Sequence, residues 1–192
     1  MKAIIFSLLI ILFLSLLQLG CKGSINSTGY SQEDYNLISN GSFEINAEPS
    51  LEGWYPINSD TSYINYSMDV PPGGGKYSVK LMNAWVIAGA ITAYTIPSIG
   101  THQYRFSVWA KVLKGSPYSI YGGEILILTK SKGTINFEKL YQFSDTSWTY
   151  GEIIDTLNST KVDTVLIKLQ GDITQFSSGY TLFDLCRFEK ID

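Results

Sequence analysis

The chain has 192 residues, a formal net charge of −3 and a hydrophobic fraction of 45%. Its 14 Lys and Arg are outnumbered by 17 Asp and Glu, and none of them cluster, which excludes the basic surface a nucleic-acid partner requires. One His and two Cys do not make an ordinary zinc site.

In chain order, Lys2 is the only charge ahead of an almost unbroken apolar run, Ala3 to Leu19, that closes on Gly20-Cys21. This is the pattern of a secretory signal peptide. The competing reading is an uncleaved span, since the run approaches the roughly 18 to 20 apolar residues that cross a bilayer as a helix. Leu19-Gly20-Cys21 resembles the bacterial lipobox, with Gln18 where that motif usually carries Leu. The resemblance implies cleavage after Gly20, diacylation of Cys21 and attachment to a membrane through lipid. Lys22, in place of the Asp that retains lipoproteins at the inner membrane, points by the same resemblance to the outer membrane. Residues 1–20 then form the signal peptide and 21–35 a tether, whose Ser, Gly and Asn content suits a flexible linker. Lipidation of Cys21 leaves only Cys186, so no intramolecular disulfide forms, and Cys186 reads as a small core hydrophobe.

From Asn36 the chain consists of short apolar or alternating runs broken by Gly, Pro, Asn, Asp and Ser, which predicts an all-β sandwich over 36–192. Tyr77, Val79 and Leu81 alternate with Ser78 and Lys80 after a Pro-Pro-Gly-Gly-Gly loop. Tyr104, Phe106, Val108, Ala110 and Val112 alternate with Arg105, Ser107, Trp109 and Lys111, predicting one core face and one wet face. Gly123 to Lys130 is so apolar that both its faces are expected to be covered, and Val162 to Gln170 and Tyr180 to Glu189 complete the predicted strands. The only histidine, His102, reads as part of an exposed turn before a strand.

Asn36-Leu37-Ile38-Ser39-Asn40-Gly41-Ser42-Phe43-Glu44, then Gly53-Trp54, Gly75 to Leu81, Tyr104 to Lys111, Trp148-Thr149 and Phe183-Asp184-Leu185 follow one another in a familiar order. Together they resemble the carbohydrate-binding modules related to cellulose-binding families 4, 9 and 22, which are galactose-binding-like jelly rolls. The resemblance implies a jelly-roll β-sandwich and a polysaccharide or glycan partner. It also implies a structural calcium between an acid near the start, Glu44, and an acid on the last strand, Asp184. The acidic doublets of that family are reduced here to Glu44-Ile45 and Asp184-Leu185, so carbonyls and water would supply most of the six to eight oxygens calcium takes. The alternative for Asp184 is a carboxylate that accepts backbone hydrogen bonds.

Aromatic residues are the better functional clue, because sugar rings lay apolar C–H faces on indole and phenol rings. Trp109 stands on the polar side of its strand, Trp85 lies among small and amide neighbours, and Tyr94 is placed to share its surface. Period alone leaves open whether Trp109 is solvated or covered by a second sheet. Trp54 and Trp148 read as structural anchors. No Gly-x-Ser-x-Gly elbow accompanies His102. A glycosidase needs two carboxyls about 5 to 9.5 Å apart, and Glu124, Glu138, Asp145, Glu152 and Asp155 cannot be paired from sequence. The expectation is therefore a lipid-anchored, non-catalytic carbohydrate-binding protein. A structural or protein-binding envelope lipoprotein is the first alternative and a hydrolase the second.

Overall fold

The computed structural model describes residues 36–57, 61–82, 90–113, 122–171 and 179–192. Cys21, the leader and Trp85 lie outside the described residues. Among the described residues the strands in chain order are β1 (Glu44–Ile45), β2 (Glu48–Pro49), β3 (Tyr55–Pro56), β4 (Ile64–Ser67), β5 (Ser78–Met82), β6 (Ala90–Thr95), β7 (Thr101–Leu113), β8 (Gly123–Ser131), β9 (Thr134–Phe143), β10 (Thr149–Asn158), β11 (Thr164–Gly171) and β12 (Tyr180–Lys190).

They form two five-stranded antiparallel sheets, ordered β10-β7-β12-β5-β4 and β3-β6-β11-β8-β9, with β1 and β2 as a small separate ribbon. Alternation decides which side chains meet between them, since successive residues of a strand point to opposite faces. Val79 and Leu81 of β5, Tyr104, Phe106, Val108, Ala110 and Val112 of β7 and Phe183 of β12 are buried from the first sheet. Ile91, Ile125, Ile127, Val165, Ile167 and Leu169 are buried from the second, and the two sets share one core. The fold is thus the expected all-β jelly-roll sandwich.

The last strand carries a bulge. Asp184 lies opposite Trp109 and Arg187 opposite Ser107, so Leu185 and Cys186 together face one residue of β7. Leu185 adopts φ +53° to make the extra step. The bulge shifts the inward positions from Phe183 to Cys186 and Phe188, all fully buried, and leaves Asp184 on the outer side. An added residue of this kind bends a strand and re-aims its side chains. Burial pushes the Cys186 thiol well up, with the neighbouring Asp184 charge adding to the effect, as suits a core residue.

The outer face of the first sheet is not simply wet. The segment joining β4 to β5 returns across it: Ser78 Oγ donates to Asp69 O at 2.7 Å, and the Asp69 carboxylate accepts from Lys111 Nζ at 2.6 Å and Trp148 Nε1 at 2.9 Å. Burial opposes ionisation of Asp69, but those two hydrogen bonds and the Lys111 charge hold its pKa below the ordinary value. Ser107, Ser78 and Leu182 are buried on this side. His102 also departs from expectation, lying within β7 rather than in a turn before it.

The N-terminal turn is fixed from inside. The Trp54 ring is buried 5.2 Å from the Phe43 ring, and its Nε1 donates to Asn40 O at 2.7 Å. Gly41 is packed so tightly against the Cys186 carbonyl that a side chain there has no room. Trp54→Phe keeps most of the apolar contact but orphans the Asn40 carbonyl, and we expect a loss of about 1–3 kcal/mol, read as a lowered urea midpoint with an unchanged m-value.

Candidate functional site

The outward positions of the second sheet fall into three cross-strand rows. Gln170, Glu124 and Gln142 are aligned on β11, β8 and β9. The next row runs Tyr55, Thr92, Lys168, Leu126 and Leu140 across all five strands. The third is Tyr94, Leu166, Leu128 and Phe137. Thr92, Leu126, Leu166 and Gln170 form a buried floor, while Tyr55 and Tyr94 stand up from it, 58% and 54% exposed. The two phenol rings meet edge to face with centroids 5.5 Å apart.

Polar groups converge at the other end of this face. The Glu124 carboxylate accepts from Gln142 Nε2 and from Gln170 Nε2, each at 2.8 Å. Gln170 is only 4% exposed, yet its Oε1 has no hydrogen-bond partner. A buried acceptor left unpaired costs free energy, on the order of 1–3 kcal/mol. Burial pulls the pKa of Lys168 down while the Glu124 charge pulls the other way. The face therefore offers two raised rings, an aliphatic floor, two amides, a carboxylate and an ammonium within three adjacent rows. This is the mixture of apolar platform and convergent polar groups that small-molecule and saccharide sites use.

Tyr94 stands on this face and Trp109 does not. Trp109 is directed outward from β7 on the opposite sheet, half-buried, with its ring 5.9 Å from that of Tyr150 and edge-on to it. Further along the same face Arg105 donates two hydrogen bonds to one oxygen of Glu189, and Lys111 pairs with Asp69. The sandwich thus places Tyr94 and Trp109 back to back. Tyr55, Gln142, Lys168 and Gln170 are absent from the sequence expectations, and Glu124 enters them only as an unpaired carboxyl. The available signal was polar residues at outward positions in otherwise apolar strands, Glu124 in Gly123–Ser131 and Lys168 and Gln170 in Thr164–Gly171.

Two of the carboxylates left unpaired by sequence reasoning do come together elsewhere. Glu138 and Glu152 line one groove of about 530 Å³ between the sheet edges β9 and β10, with Phe137, Leu140 and Ile154. Each is already engaged, Glu138 by the Thr129 hydroxyl at 2.6 Å and Glu152 by the Tyr150 hydroxyl at 3.0 Å.

Glu44 and Asp184 approach each other around the Gly74-Gly75 turn. Glu44 Oε2 accepts the amides of Lys76 and Tyr77 at 2.7 and 3.1 Å. Asp184 Oδ1 accepts its own chain's Leu185 amide at 2.7 Å, while Oδ2 is buried without a partner. A Cβ on Gly74 would lie 2.7 Å from that orphaned oxygen, and one on Gly75 would collide with the Glu44 carboxylate. Burial first, and the Glu44 charge after it, push the Asp184 pKa up to about 7 against the Leu185 hydrogen bond. Two near acids, an orphaned buried oxygen and a close-fitting backbone suit a hard cation. Among the described residues, however, no group of three or more His, Cys, Asp or Glu side chains gathers to hold one, so carbonyls and water would complete the shell.

Back-to-back five-stranded sheets define a jelly roll of the kind carbohydrate-binding modules use. No protein-family model and no curated protein matches the sequence. Among solved structures, a family 16 carbohydrate-binding module is similar at a TM-score of 0.56 and 18% identity over 80% of this chain and 99% of its own. The family 22 xylan-binding domain from Paenibacillus barcinonensis is similar at 0.53 and 11% identity, over 73% of this chain and 86% of its own. The enzymatically active domain of tailspike protein 4 from bacteriophage CBA120 gives 0.59 at 15% identity, over 81% of this chain, which spans only 21% of that protein. At these identities the likeness defines the fold.

Asp184 makes stability depend on pH in a defined direction. With its folded-state pKa near 7 against an ordinary 3.8, the folded chain binds the extra proton, so the Asp184 contribution to stability is full below about pH 4 and is lost as pH rises toward 7. In chelator-treated protein we expect the melting temperature to fall by up to about 3–6 °C per pH unit between pH 5 and 7. Asp184→Asn should flatten that slope, and a melting temperature that rises across the window would contradict the assignment.

Proposed function

We propose that this chain is a lipid-anchored, non-catalytic carbohydrate-binding protein whose glycan lies across the outer face of the second sheet. A sugar ring packs on Tyr55 and Tyr94, and its hydroxyls bond to Gln142, Glu124, Gln170 and Lys168. The observation that carries this reading is the pair of exposed rings, Tyr55 and Tyr94, on the same sheet face as the Glu124 carboxylate and its amide partners Gln142 and Gln170. The jelly-roll neighbours that are themselves carbohydrate-binding modules support it. Cys21 carries the lipid in this reading, with the outer membrane as the location.

Trp109 lies on the opposite sheet and is not reached by that glycan, so it serves as an internal comparison. Trp85 belongs to the segment between β5 and β6, outside the described residues, and is retained as a further contact. Calcium, held by Glu44 and Asp184 with backbone carbonyls, would neutralise the paired acids and brace β12 against the N-terminal turn. Its role is structural.

The groove between β9 and β10 favours the alternative, a protein-binding envelope lipoprotein, because Phe137, Leu140 and Ile154 are exposed along it. Affinity electrophoresis against xylan, β-glucan, mannan and galactan separates the two. We expect retardation on at least one polysaccharide, with Tyr94→Ala and Gln170→Ala each weakening it about tenfold, the equivalent of ~1.4 kcal/mol, and Trp109→Ala leaving it unchanged. In parallel melts, millimolar calcium should raise the melting temperature of the parent chain at pH 7.5 and not that of Asp184→Asn. Retardation on no polysaccharide would favour the protein-binding alternative.

A further inference from the structure

One end of the sandwich displays three isoleucine side chains to water. Ile99 is 95% exposed and Ile96 77% exposed in the loop that carries the chain from β6 to β7, and Ile135 at the start of β9 is 57% exposed. Their common location follows from register. Thr95 lies opposite Val165, Thr164 opposite Lys130, Lys130 opposite Ile135, and Thr101 opposite Asn158. The β6–β7 loop, the β8–β9 turn and the β10–β11 turn therefore share one end.

The loop is not loose. The Ser98 amide donates to the Tyr104 hydroxyl at 2.8 Å, the Gly100 amide to Ser159 Oγ at 2.9 Å and the Ser159 amide to Gly100 O at 3.0 Å. His102 Nε2 lies 2.9 Å from Ile99 O. Gly100 takes φ +106° to complete the turn. A backbone tied at several points holds two bare isoleucines outward, which costs hydration free energy unless something covers them.

The chain enters the domain near this same end. Leu37 donates its amide to Phe188 O at 2.7 Å, and the Phe188 amide donates to Asn36 Oδ1 at 2.9 Å, two residues before β12 ends at Lys190. Ile191, just beyond, donates to Gln103 O at 3.0 Å. Upstream of Asn36 the sequence supplies a polar stretch back to Cys21 and then the apolar run Ala3 to Leu19. A Gly/Ser-type linker of about 15 residues spans on average about 20 Å, so in the lipid-anchored reading a lipid on Cys21 would keep this end within reach of the bilayer surface.

We infer that the end bearing Ile96, Ile99 and Ile135 is a membrane-contacting surface, with the two loop isoleucines inserted at the lipid interface. This rests on the lipid-anchored reading above. Such insertion fixes the domain's orientation, which the tether alone does not, and turns the second sheet's outer face sideways to the bilayer.

The test uses the full chain, in which Cys21 is acylated and Cys186 is buried, so an introduced cysteine is the reactive thiol. Ile99→Cys, Ile135→Cys and Thr146→Cys are each labelled with an environment-sensitive fluorophore, the last lying in the β9–β10 connection at the opposite end. The proteins are reconstituted on phosphatidylethanolamine and phosphatidylglycerol vesicles that carry a lipid-borne quencher. We expect the probes at 99 and 135 to be blue-shifted and quenched severalfold more than the probe at 146, and Ile96→Ser with Ile99→Ser to release the probe at 135. Chains that float with the vesicles but show equal quenching at all three positions overturn this inference alone. Chains that do not float overturn both it and the lipid-anchored reading.

Discussion

Side chains leave a β-strand alternately to its two faces, and in this sandwich one face of every central strand is committed to a single shared interior. Phe106, Val108 and Ala110 occupy it from β7, and Ile125, Ile127, Ile167 and Leu169 occupy it from β8 and β11. Whatever stands between those residues is sent outward, and the two outer faces point in opposite directions. This is why Tyr94 and Trp109 cannot share one ligand. It also explains why the polar residues of β8, β9 and β11 gather in a row: register aligns positions of like parity.

The bulge in β12 adds a second constraint. Without the extra residue at Leu185–Cys186, inward parity would pass from Phe183 to Leu185, and Cys186 and Phe188 would be turned out of the core. The bulge restores them and leaves Asp184 facing the turn at Gly74 and Gly75, where the acid is buried and near Glu44. The two glycines fit there because a Cβ at either position would press on a carboxylate oxygen. A pair of acids held close with an orphaned oxygen is costly in the absence of a cation, and that cost rises as Asp184 ionises.

Strands with a clean period of two were legible. β7 was expected over Tyr104 to Leu113 and runs Thr101–Leu113, and β12 was expected over Tyr180 to Glu189 and runs Tyr180–Lys190. β9 gave no such signal because nearly every residue of Thr134–Phe143 is exposed, so no alternation is imposed on it. The wetness of the first sheet's outer face was misjudged because the covering segment, which includes Asp69, comes from a distant loop. The polar row of the candidate site was illegible for a related reason: Gln170 and Glu124 are 46 residues apart, and only strand order makes them neighbours. Tyr55 follows directly on the inward Trp54 in a strand of two residues, too short for alternation to mark it as outward.

Together these features describe a domain with three separable surfaces. The second sheet offers rings and hydrogen-bonding groups on one broad face, the turn around Gly74 and Gly75 holds the acids, and the end near Asn36 carries bare isoleucines. The account turns on the first of these being where sugar binds. Amide chemical-shift mapping with an oligosaccharide from the polysaccharide that binds most tightly tests it directly. The account predicts the largest shifts at Tyr94, Glu124, Lys168 and Gln170, with β7 and β10 little affected. Shifts centred on Trp109 and Tyr150, or on the groove between β9 and β10, would contradict it.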